Sequence, residues 1–569
     1  MDSPATSRDV YREESKLESK CSPRRPISPP PLKRRKLTPQ QTFSTSNASR
    51  LETPSVSACT PDANTEPETS PIYCALSSKP KSTVEDKQIR FIKSPFSLTR
   101  IHDLAPSQNV DCVDLSDILC DPLIRDVWIF NYLHDIDFIM SHLDPDVKNT
   151  VKVHIVHGFW KQEDPNRLNL HETASRYENV SLHAAFMPEM FGTHHSKMFI
   201  VLRHDDAAQL IIHTANMIER DWKNMAQGVW RSPLLPLMAE SSPSNSAASG
   251  SGAEYGTGER FKHDLLNYLE AYDRRRRVCK PLRDKLANYS FEGVKGALVA
   301  SVPGRFRQED GNQTTFWGLQ GLSKVLSSIH IPNSESGEPR EAEVVAQISS
   351  VATLGPTDAW LENQLIAALS HSHGKKSRLR TRVVFPTAAE IRRSLDGYNA
   401  GGSIHWKIQS AQQQKQLAYM KPMLHHWSND SGDGVQSSGR NRAAPHIKTY
   451  TRYNSEGSVD WALLTSGNVS KQAWGDQKDT EIRIASWEIG VLVWPALFST
   501  GEDEAKMIPI FLKDIPSHMD AKGIADGTTV TGLRIPYNLP LRKYGNGDIP
   551  WVATTTHTTP DWRGTRWLL

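Results

Sequence analysis

Two short stretches of the chain contain the same three kinds of polar residue in the same order. Each stretch has a histidine, a lysine two residues later and a more distant asparagine: His195, Lys197 and Asn216 in the first copy, and His446, Lys448 and Asn468 in the second. The asparagine follows its lysine by 19 residues in the first copy and by 20 in the second, with an apolar run between them. A single His-x-Lys pair is common by chance, but a repeated pair with a matching asparagine indicates a shared function.

The repeated residues are suited to chemistry on a phosphate group. In an extended segment the side chains of residues i and i+2 project from the same face, so each histidine points the same way as its lysine. Two copies brought together would surround a phosphate with two imidazoles, two ammonium groups and two amides. Imidazoles can attack phosphorus or donate a proton, while ammonium groups and amides stabilise the charge on the phosphoryl oxygens. The sequence therefore predicts a phosphoryl-transfer site that needs no metal ion and no other cofactor.

With these motifs the chain resembles the phospholipase D superfamily, and within it the tyrosyl-DNA phosphodiesterase family. The ordinary superfamily signature has an aspartate five residues after the lysine, whereas this chain has Leu202 and Tyr453 there. A distant asparagine in both copies is the pattern of the phosphodiesterase family. Further matching phrases lie around Tyr132, Phe191 and Glu488, and the similarity extends from about residue 95 to the end.

The resemblance implies a DNA repair enzyme that hydrolyses the 3′-phosphotyrosyl bond between DNA and trapped topoisomerase I, together with other 3′-end adducts. It implies a covalent phosphohistidine, with His195 as the nucleophile and His446 as the acid that protonates the leaving tyrosine and then activates water. The lysines and asparagines of both copies would hold the phosphoryl oxygens. The implied partners are single-stranded or duplex DNA 3′ ends that carry a tyrosyl peptide, with a monomeric enzyme and no membrane.

Two further residues are expected to orient the histidines. A nucleophilic imidazole needs an anionic partner at its other ring nitrogen, whereas a neutral partner leaves an acid less basic. Glu488 is therefore paired with His195, and Gln227 with His446, each across the interface between the two halves of the chain.

Contacts to the substrate are implied by the resemblance rather than by spacing. Four serines are expected to contact DNA phosphates: Ser349, Ser350, Ser403 and Ser470. Tyr132 is expected on the side of the peptide. Phe191, four residues before His195, must lie close to the cleft.

The repeated motifs require a repeated scaffold. Apolar runs of strand length occur at residues 151–156, 198–202, 210–212 and 491–493, and helical patterns occur at 126–141, 261–288, 316–329 and 387–395. Strands that alternate with helices are typical of α/β folds. We therefore predict two similar α-β-α sandwich domains, at residues 96–299 and 300–569, related by a pseudo-twofold axis with the active site between them.

Residues 1–95 are predicted to be a disordered tail. The first 90 residues contain 12 of the 36 prolines and none of the 15 tryptophans, so they lack the apolar surface for a core. Basic clusters at residues 24–25 and 33–36 have the spacing of a bipartite nuclear import signal, which together with a DNA substrate predicts a nuclear protein. A basic tract that binds nucleic acid weakly is the alternative.

Composition argues against several other classes of protein. The polar first residues and the lack of an apolar run of ~18 residues mean that no secretory signal or membrane span is expected. The six cysteines show no metal-ligand spacing, which favours a reduced intracellular compartment. With a net charge of only +3, DNA binding must depend on local basic patches.

Four polar segments lie outside the repeated motifs. The basic cluster at residues 375–382 precedes an apolar strand and is a candidate for phosphate contacts, with a solvated face as the alternative. The arginines at 274–277 are expected at the solvated end of a helix. Residues 240–258 form a low-complexity insertion, and residues 428–442 are expected to be a mobile rim of the cleft.

Two other functions stay open at this point. A phospholipase or general nuclease of the same superfamily would keep the aspartates that this chain lacks. An inactive scaffold that binds DNA ends would not need every catalytic position to be filled. Turnover of a 3′-phosphotyrosyl oligonucleotide, compared with phosphatidylcholine, discriminates among the three.

Overall fold

The computed structural model describes residues 88–239, 249–307, 313–331, 341–371, 379–430, 434–499, 501 and 503–569. Four predicted features therefore lie wholly or partly outside the described residues. These are the import signal with residues 1–87 of the predicted tail, residues 240–248 of the insertion, residues 375–378 of the basic cluster, and residues 431–433 of the predicted rim.

The first half of the chain contains one large mixed sheet with helices on its faces. The strands of this half are β1 (Arg90–Ile92), β2 (Ser97–Leu98), β3 (Ile124–Phe130), β4 (Lys152–His157), β5 (Val180–Ala184), β6 (Met198–Arg203), β7 (Ala207–His213), β8 (Met225–Ala226), β9 (Gly228–Arg231) and β10 (Leu235–Pro236). Its helices are α1 (Ser116–Leu119), α2 (Ile136–Ser141), α3 (Pro165–Ala174), α4 (Glu219–Lys223), α5 (Gly258–Tyr272) and α6 (Lys280–Leu286), with 3₁₀ turns at Pro106–Gln108 and Ser249–Gly252. The sheet order is β2-β9-β7-β6-β3-β4-β5, with β10 beside β7. The two other strands of this half, β1 and β8, pair instead with strands of the second half.

The second half forms a second large sheet of the order β11-β23-β20-β19-β13-β15-β17. The strands are β11 (Ala297–Ser301), β12 (Gly304–Arg307), β13 (Ala342–Gln347), β14 (Ser350–Val351), β15 (Leu379–Val384), β16 (His405–Trp406), β17 (Leu424–His425), β18 (Ala444–Pro445), β19 (Thr449–Tyr453), β20 (Val459–Thr465), β21 (Asp476–Lys478), β22 (Glu481–Ile484), β23 (Glu488–Val493), β24 (Ala505–Ile510) and β25 (Thr529–Arg534). The helices are α7 (Gly318–Ser328), α8 (Ala367–Leu369, continuing a π-helical turn at Leu361–Ile366), α9 (Ala388–Arg393), α10 (Ala411–Met420) and α11 (Lys471–Trp474), with 3₁₀ helices at Gly397–Ser403, Lys421–Met423 and Pro495–Phe498.

The two large sheets are built in the same way, which confirms the predicted α/β class and the repeat. In the first sheet β3, β4 and β5 are parallel and β6, β7 and β9 follow in antiparallel order. In the second sheet β13, β15 and β17 are parallel and β19, β20 and β23 follow in the same antiparallel order. Each His-x-Lys pair lies immediately before an equivalent strand, β6 or β19, and each asparagine follows the next strand, β7 or β20.

Alternating side chains divide the interior into layers. Along β3, Val127 and Ile129 face a core that also contains residues of α2 and α3. Trp128 and Phe130 face the opposite core, which contains residues of α5 and α6 and extends to β23 of the second sheet. A third core lies under α7 on the far side of the second sheet. The central core thus packs the two sheets together and fixes the relative position of the motifs at their edges.

The sequence predicts the helices unevenly. The helices at 316–329 and 387–395 are confirmed as α7 and α9, and the four predicted strands are confirmed as β4, β6, β7 and β23. The helix at 126–141 is wrong in its first part, because Ile124–Phe130 is a central strand and only Ile136–Ser141 is helical. A strand buried on both faces shows no polar alternation, so its pattern resembles that of a buried helix. The pattern at 261–288 forms two helices, and the arginines at 274–277 are exposed in the turn between them.

Two predicted boundaries and one predicted mobile segment differ from the structure. Arg90–Ile92 pairs in parallel with β25, so the predicted tail extends too far into the folded chain. A domain boundary between residues 299 and 300 would divide β11, which belongs to the second sheet. Within 428–442, Ser428 and Arg440 are buried, and the Ser428 N–H donates to Glu390 Oε1 at 2.8 Å. The prediction of a mobile rim is therefore wrong for these residues.

The structure bears on two further predictions, which concern the basic cluster and a membrane span. On β15, Arg380 is exposed, whereas Arg382 forms an ion pair with Glu343 of the neighbouring strand, with Nε 2.6 Å from Oε2. Within the described ranges, none of the helices combines the length and the apolar character needed to cross a bilayer.

Candidate active site

His195 is held against the second half of the chain by both its main chain and its side chain. Its N–H donates to the carbonyl oxygen of Trp487 at 3.0 Å. The next residue, Glu488, accepts from His195 Nδ1 at 2.8 Å through Oε2, which also accepts from the Ser466 hydroxyl at 2.6 Å. A hydrogen on Nδ1 leaves the lone pair on Nε2. That is the state of the imidazole that a nucleophile requires.

The charges of this pair follow from burial and proximity. Burial lowers the pKa of His195, although the charge of Glu488 acts in the opposite direction. Burial also disfavours the ionised form of Glu488, but His195, Ser466 and Lys197 together hold the pKa of this carboxyl below its usual value. At neutral pH the pair therefore consists of a neutral imidazole and a carboxylate.

His446 has different surroundings. Its N–H donates to the carbonyl oxygen of Ala226 at 3.0 Å, next to Gln227 in the sequence. Its Nδ1 lies 3.1 Å from Gln227 Nε2, 3.2 Å from Gln227 Oε1 and 3.3 Å from Asp221 Oδ2. The nitrogen thus has both a donor and acceptors within reach. A neutral His446 with its hydrogen on Nδ1 donates to Asp221 or to Gln227 Oε1 and leaves Nε2 free to take a proton as a base. The imidazolium keeps the same contact at Nδ1 and can give up its Nε2 proton as an acid, so the site accommodates both forms.

The protonation of His446 depends on what occupies the cleft. Burial holds the pKa of His446 well below its usual value, and the ammonium groups of Lys448 and Lys197 lower it further. The imidazole is therefore neutral in the free protein. A bound phosphodiester brings a negative charge, which favours the imidazolium. The acid form would then arise together with substrate binding.

Both lysines of the motifs are fully buried. Lys197 Nζ donates to the carbonyl oxygen of His195 at 3.0 Å, and Lys448 Nζ donates to that of His446. Burial lowers the pKa of Lys197 to about 8, while Glu488 and Asp221 partly restore it. Burial, followed by the charge of Lys197, lowers the pKa of Lys448 well below its usual value. Two buried ammonium groups that disfavour each other's charge favour the binding of an anion.

The two asparagines are oriented by the protein. Asn468 Oδ1 accepts from the N–H groups of Ser349 at 3.0 Å and Ser350 at 2.9 Å, which leaves its Nδ2 to donate. Asn216 is fixed by Asp221 Oδ2, which accepts from its N–H at 2.8 Å and from its Nδ2 at 2.9 Å. With the lysines, these amides complete a set of donors for phosphoryl oxygens.

Comparison with known proteins identifies the family. Residues 95–545 match the family model described as tyrosyl-DNA phosphodiesterase. The chain belongs to the tyrosyl-DNA phosphodiesterase family. The probable tyrosyl-DNA phosphodiesterase of Schizosaccharomyces pombe is 30% identical, over 85% of this chain and 97% of that protein. Tyrosyl-DNA phosphodiesterase 1 of Arabidopsis thaliana is 28% identical, over 84% of this chain and 77% of that protein.

A solved structure shows the same fold. The crystal structure of the yeast tyrosyl-DNA phosphodiesterase superposes with a TM-score of 0.56 at 18% identity, over 81% of this chain and 99% of that chain. As a member of this family the chain is a phosphodiesterase, a hydrolase with the phospholipase D fold. This membership disfavours both alternatives, the phospholipase and the inactive scaffold.

The contacts above link seven of the eight residues that were predicted to be catalytic: His195 with Lys197 and Glu488, and His446 with Lys448, Gln227 and, through Asp221, Asn216. The eighth, Asn468, follows β20 at the place in the repeat that Asn216 has after β7. The predicted pairing of Glu488 with His195 and of Gln227 with His446 agrees with the observed distances. Among the described residues, no group of three or more His, Cys, Asp or Glu side chains is arranged to hold a metal ion.

Tyr132 lies beside the histidine of the first copy, and Phe191 is exposed four residues before it in the sequence. Tyr132 follows β3, and its ring centroid lies 6.1 Å from that of His195. Phe191 is 69% exposed and has a φ of 64°, a left-handed conformation that is rare for an aromatic residue. The neighbouring Gly192 packs so closely that a Cβ there would lie 1.9 Å from the carbonyl oxygen of Ala485. Close packing against the second half thus holds Phe191 out toward solvent.

The remaining two serines lie beside the site, but their hydroxyls have partners within the protein. Ser403 is buried, donates to Asp221 Oδ1 at 3.2 Å and accepts from Arg220 at 2.8 Å. Ser470, two residues after Asn468, caps α11 by accepting from a backbone N–H at 3.0 Å. Contact of these serines with DNA phosphate stays a prediction.

A hydroxyl two residues before each asparagine orients the partner of a histidine. Ser466 donates to Glu488 at 2.6 Å, and Thr214 donates to Gln227 Oε1 at 2.8 Å. The second contact fixes the Gln227 amide, whose Nε2 and Oε1 lie 3.1 and 3.2 Å from His446 Nδ1. Both hydroxyls occupy the same place in the repeat, so their shared position could have been noticed in the sequence. The His-x-Lys and asparagine motif alone, however, does not indicate that they orient Gln227 and Glu488.

Asp221 contacts two residues of the candidate site, Asn216 and His446, but the motifs did not select it. It is fully buried, fixes Asn216 and lies 3.3 Å from the ring of His446. It follows Asn216 by five residues, but the fifth residue after Asn468 is Ala473. The matching positions of the two copies therefore do not point to Asp221.

We expect Asp221→Asn to weaken catalysis most strongly at high pH. The Asp221 carboxylate helps Lys197 keep its proton, so its loss should lower the pKa of Lys197 below the present value of about 8. Because kcat/KM reports the free enzyme, the decline in kcat/KM with rising pH should begin at lower pH in the variant. Above about pH 8, kcat/KM should fall about 10- to 100-fold. The pH profile of kcat/KM on a chromogenic phosphodiester measures this.

Asp264→Asn is the matched control. Asp264 is also buried, and its carboxylate accepts from Arg260 Nε at 2.9 Å. Its substitution should lower thermal stability and leave the pH profile in place. If Asp221→Asn behaves in the same way, Asp221 serves only the fold.

Proposed function

We propose that the enzyme hydrolyses the 3′-phosphotyrosyl bond between DNA and trapped topoisomerase I through a covalent phosphohistidine. The difference between the two histidines is the observation that carries the proposal. His195 Nδ1 faces the acceptor Glu488, whereas His446 Nδ1 faces a donor as well as acceptors. The carboxylate contact at 2.8 Å suits a nucleophile with a lone pair on Nε2. The amide and the more distant carboxylate, at 3.2 and 3.3 Å, hold a hydrogen on Nδ1 of a group that gives and takes a proton at Nε2.

In the first step, Nε2 of His195 attacks phosphorus. The new P–N bond forms while the bond from phosphorus to the tyrosine oxygen breaks. His446, protonated when the substrate is bound, transfers its proton to that oxygen. Because tyrosine has a pKa of about 10, protonation of the leaving oxygen removes much of the barrier.

In the second step, the enzyme returns to its starting state. Neutral His446 takes a proton from water while the water oxygen attacks phosphorus. The P–N bond breaks, and its electron pair returns to His195. The DNA is released with a 3′-phosphate. The acceptors near His446 Nδ1, Gln227 Oε1 and Asp221 Oδ2, support this change of role, because they hold a hydrogen on Nδ1 while Nε2 loses and regains its proton.

The charge on the phosphoryl oxygens is stabilised by side chains of the protein. Lys197 and Lys448 supply two positive charges in a buried cleft, where such charges act more strongly than in water. Asn216 and Asn468 add amide donors. In many phosphoryl-transfer enzymes this work is done by Mg²⁺. The four side chains support a mechanism without a metal ion.

We further propose the sides of the cleft that the substrate occupies. Ser349 and Ser350 lie next to Asn468, so the DNA strand that carries the 3′ phosphate runs along the second half. Tyr132 lies in the first half near His195, on the side of the peptide. Because one chain supplies all eight catalytic positions, a monomer suffices for activity.

Turnover of a 3′-phosphotyrosyl oligonucleotide tests the function. We expect conversion to the 3′-phosphate product, no hydrolysis of phosphatidylcholine, and unchanged activity in excess EDTA. Binding without turnover would favour the inactive scaffold, and hydrolysis of the lipid would favour the phospholipase. Loss of activity in EDTA that Mg²⁺ or Mn²⁺ restores would show that the lysines and asparagines are insufficient.

Substitution of each histidine separates their roles. His195→Ala removes the nucleophile, so no adduct can form and turnover should fall by several orders of magnitude. His446→Asn keeps the nucleophile but removes the base of the second step, so DNA should accumulate on the protein. A denaturing gel with labelled substrate should show a shifted, acid-labile band for His446→Asn only.

His154→Asn is the control for this experiment. His154 is a half-buried histidine that stacks on Trp128, away from the motifs. Its substitution should give neither the band nor the loss of turnover. A band with His195→Ala and none with His446→Asn would reverse the two roles.

We also propose that the enzyme acts in the nucleus. The support is the basic clusters at residues 24–25 and 33–36, together with a DNA substrate. Deletion of residues 1–87 should abolish nuclear accumulation in cells while leaving kcat unchanged in vitro, because the catalytic positions lie after residue 194. Full nuclear accumulation of the truncated protein would contradict the proposal.

A further inference from the structure

A cavity of about 530 Å³ opens in the first half of the chain. Its lining combines apolar and aromatic surface with arginines: Trp160, Phe186, Met187, Arg167, Arg275 and Arg276. The described lining contains no aspartate or glutamate. We refer to this cavity as the arginine pocket. Its volume lies within the range of about 300–1,000 Å³ that is usual for ligand sites.

The walls of the arginine pocket are held in place by the fold. The Phe186 carbonyl oxygen accepts from Trp487 Nε1 at 3.1 Å, and the Arg275 guanidinium lies 4.9 Å from the Phe186 ring centroid. Tyr272, which also lines the pocket, stacks on Trp487 with centroids 3.8 Å apart. Trp160 is 64% exposed, and Lys161 Nζ lies over its ring at 5.3 Å from the centroid, so the ring and a further cation are both presented to solvent.

The cations of the pocket are available as well. Arg275 and Arg276 are exposed, and no carboxylate in the described part of the chain lies within ion-pair distance of either. Arg167 donates to the Trp160 carbonyl oxygen at 3.1 Å, which ties one cation to the aromatic wall. Three guanidinium groups without carboxylates favour a ligand with several negative charges.

The pocket adjoins the active site. The Tyr272 hydroxyl lies 3.0 Å from His194 Nε2, and His194 immediately precedes the nucleophile. Trp487, which holds the wall, also accepts from the His195 N–H at 3.0 Å. A ligand in the pocket would therefore lie close to the end of a DNA strand bound at His195.

The chemistry of the lining selects nucleotides over peptide. Exposed aromatic rings stack with bases of any sequence, and arginines bind phosphates through paired donors. A peptide would also need acceptors for its N–H groups and its cations, and the described lining offers no carboxylate. The strand that carries the adduct is placed along Ser349 and Ser350 of the second half. The opposite strand is the remaining source of nucleotides near the cleft.

We propose that the arginine pocket binds unpaired nucleotides of the DNA strand opposite the processed 3′ end. This inference rests on the proposed function, because it requires a DNA 3′ end at His195. The pocket makes and breaks no bond. It adds affinity for duplex ends whose strands have separated, by stacking on Trp160 and by contacts of Arg275 and Arg276 with phosphates.

Two substrates that share one 3′-phosphotyrosyl strand test the proposal. One is that strand alone, and the other is a forked duplex in which both strands are unpaired at the processed end. Arg275→Ala with Arg276→Ala should raise KM for the fork about tenfold and lower the salt dependence of its binding by about 1–2 in the log–log slope. Trp160→Ala should raise KM for the fork without changing that slope. Both variants should leave kcat and KM for the single strand unchanged.

Lys478→Ala with Lys522→Ala is the matched control. These lysines are exposed and lie outside the pocket, so the control removes the same charge from another surface. It should affect both substrates equally and slightly. Equal losses on both substrates with the arginine variant, or no loss on either, would overturn the proposal. A loss that depends on the length of the peptide in the adduct would assign the pocket to the peptide instead.

The proposal and the proposed function can fail separately. If the unsubstituted enzyme does not cleave the single strand, the proposed function is wrong. Binding of an unmodified forked duplex, measured by fluorescence anisotropy, still reports on the pocket. Weaker binding by the arginine variant, with unchanged binding by the lysine control, would support the pocket in that case, and equal binding by all three proteins would overturn it.

Discussion

Main-chain pairing between the two halves is the constraint on which the active site depends. The His195 N–H donates to Trp487, and the His446 N–H donates to Ala226. Each acceptor immediately precedes the residue that orients the same histidine, Glu488 in one case and Gln227 in the other. Neither half therefore contains a complete site. The lysines and asparagines can stay buried in one cleft because these contacts and the central core fix the halves together.

The two histidines have different roles because the residues at two equivalent positions differ in charge. Glu488 begins β23 and Gln227 immediately precedes β9, the strands that follow β20 and β7 in the two sheets. A carboxylate at one position holds Nδ1 of its histidine and leaves Nε2 free, while burial keeps the ring neutral. An amide at the other, with Asp221 nearby, lets its histidine change protonation. The same scaffold thus gives two histidines of unlike reactivity, and the difference lies in their partners rather than in the His-x-Lys motifs.

The catalytic residues could be predicted from the sequence because each copy of the repeat corresponds to one pair of adjacent antiparallel strands. A lysine before one strand and an asparagine after the next fix a spacing of two strands and a turn, which is why 19 and 20 residues separate them. The difference in charge between Glu488 and Gln227 then indicated which histidine each of them contacts. Asp221 was missed because its counterpart is Ala473, and spacing cannot show a contact that only one copy makes. The strand at Ile124–Phe130 was missed because burial on both faces removes the alternation that marks a strand.

Each histidine is oriented by a residue from the other half of the chain. This arrangement has a consequence for how such an enzyme can arise. A chain with a single copy could complete this cleft only as a symmetric dimer, in which both subunits present the same residues across the interface. Identical subunits would have to place either two carboxylates or two amides beside their histidines. Once both copies belong to one gene product, each can mutate independently. The pairing of one glutamate with one glutamine is an arrangement that duplication and fusion permit and that strict symmetry forbids.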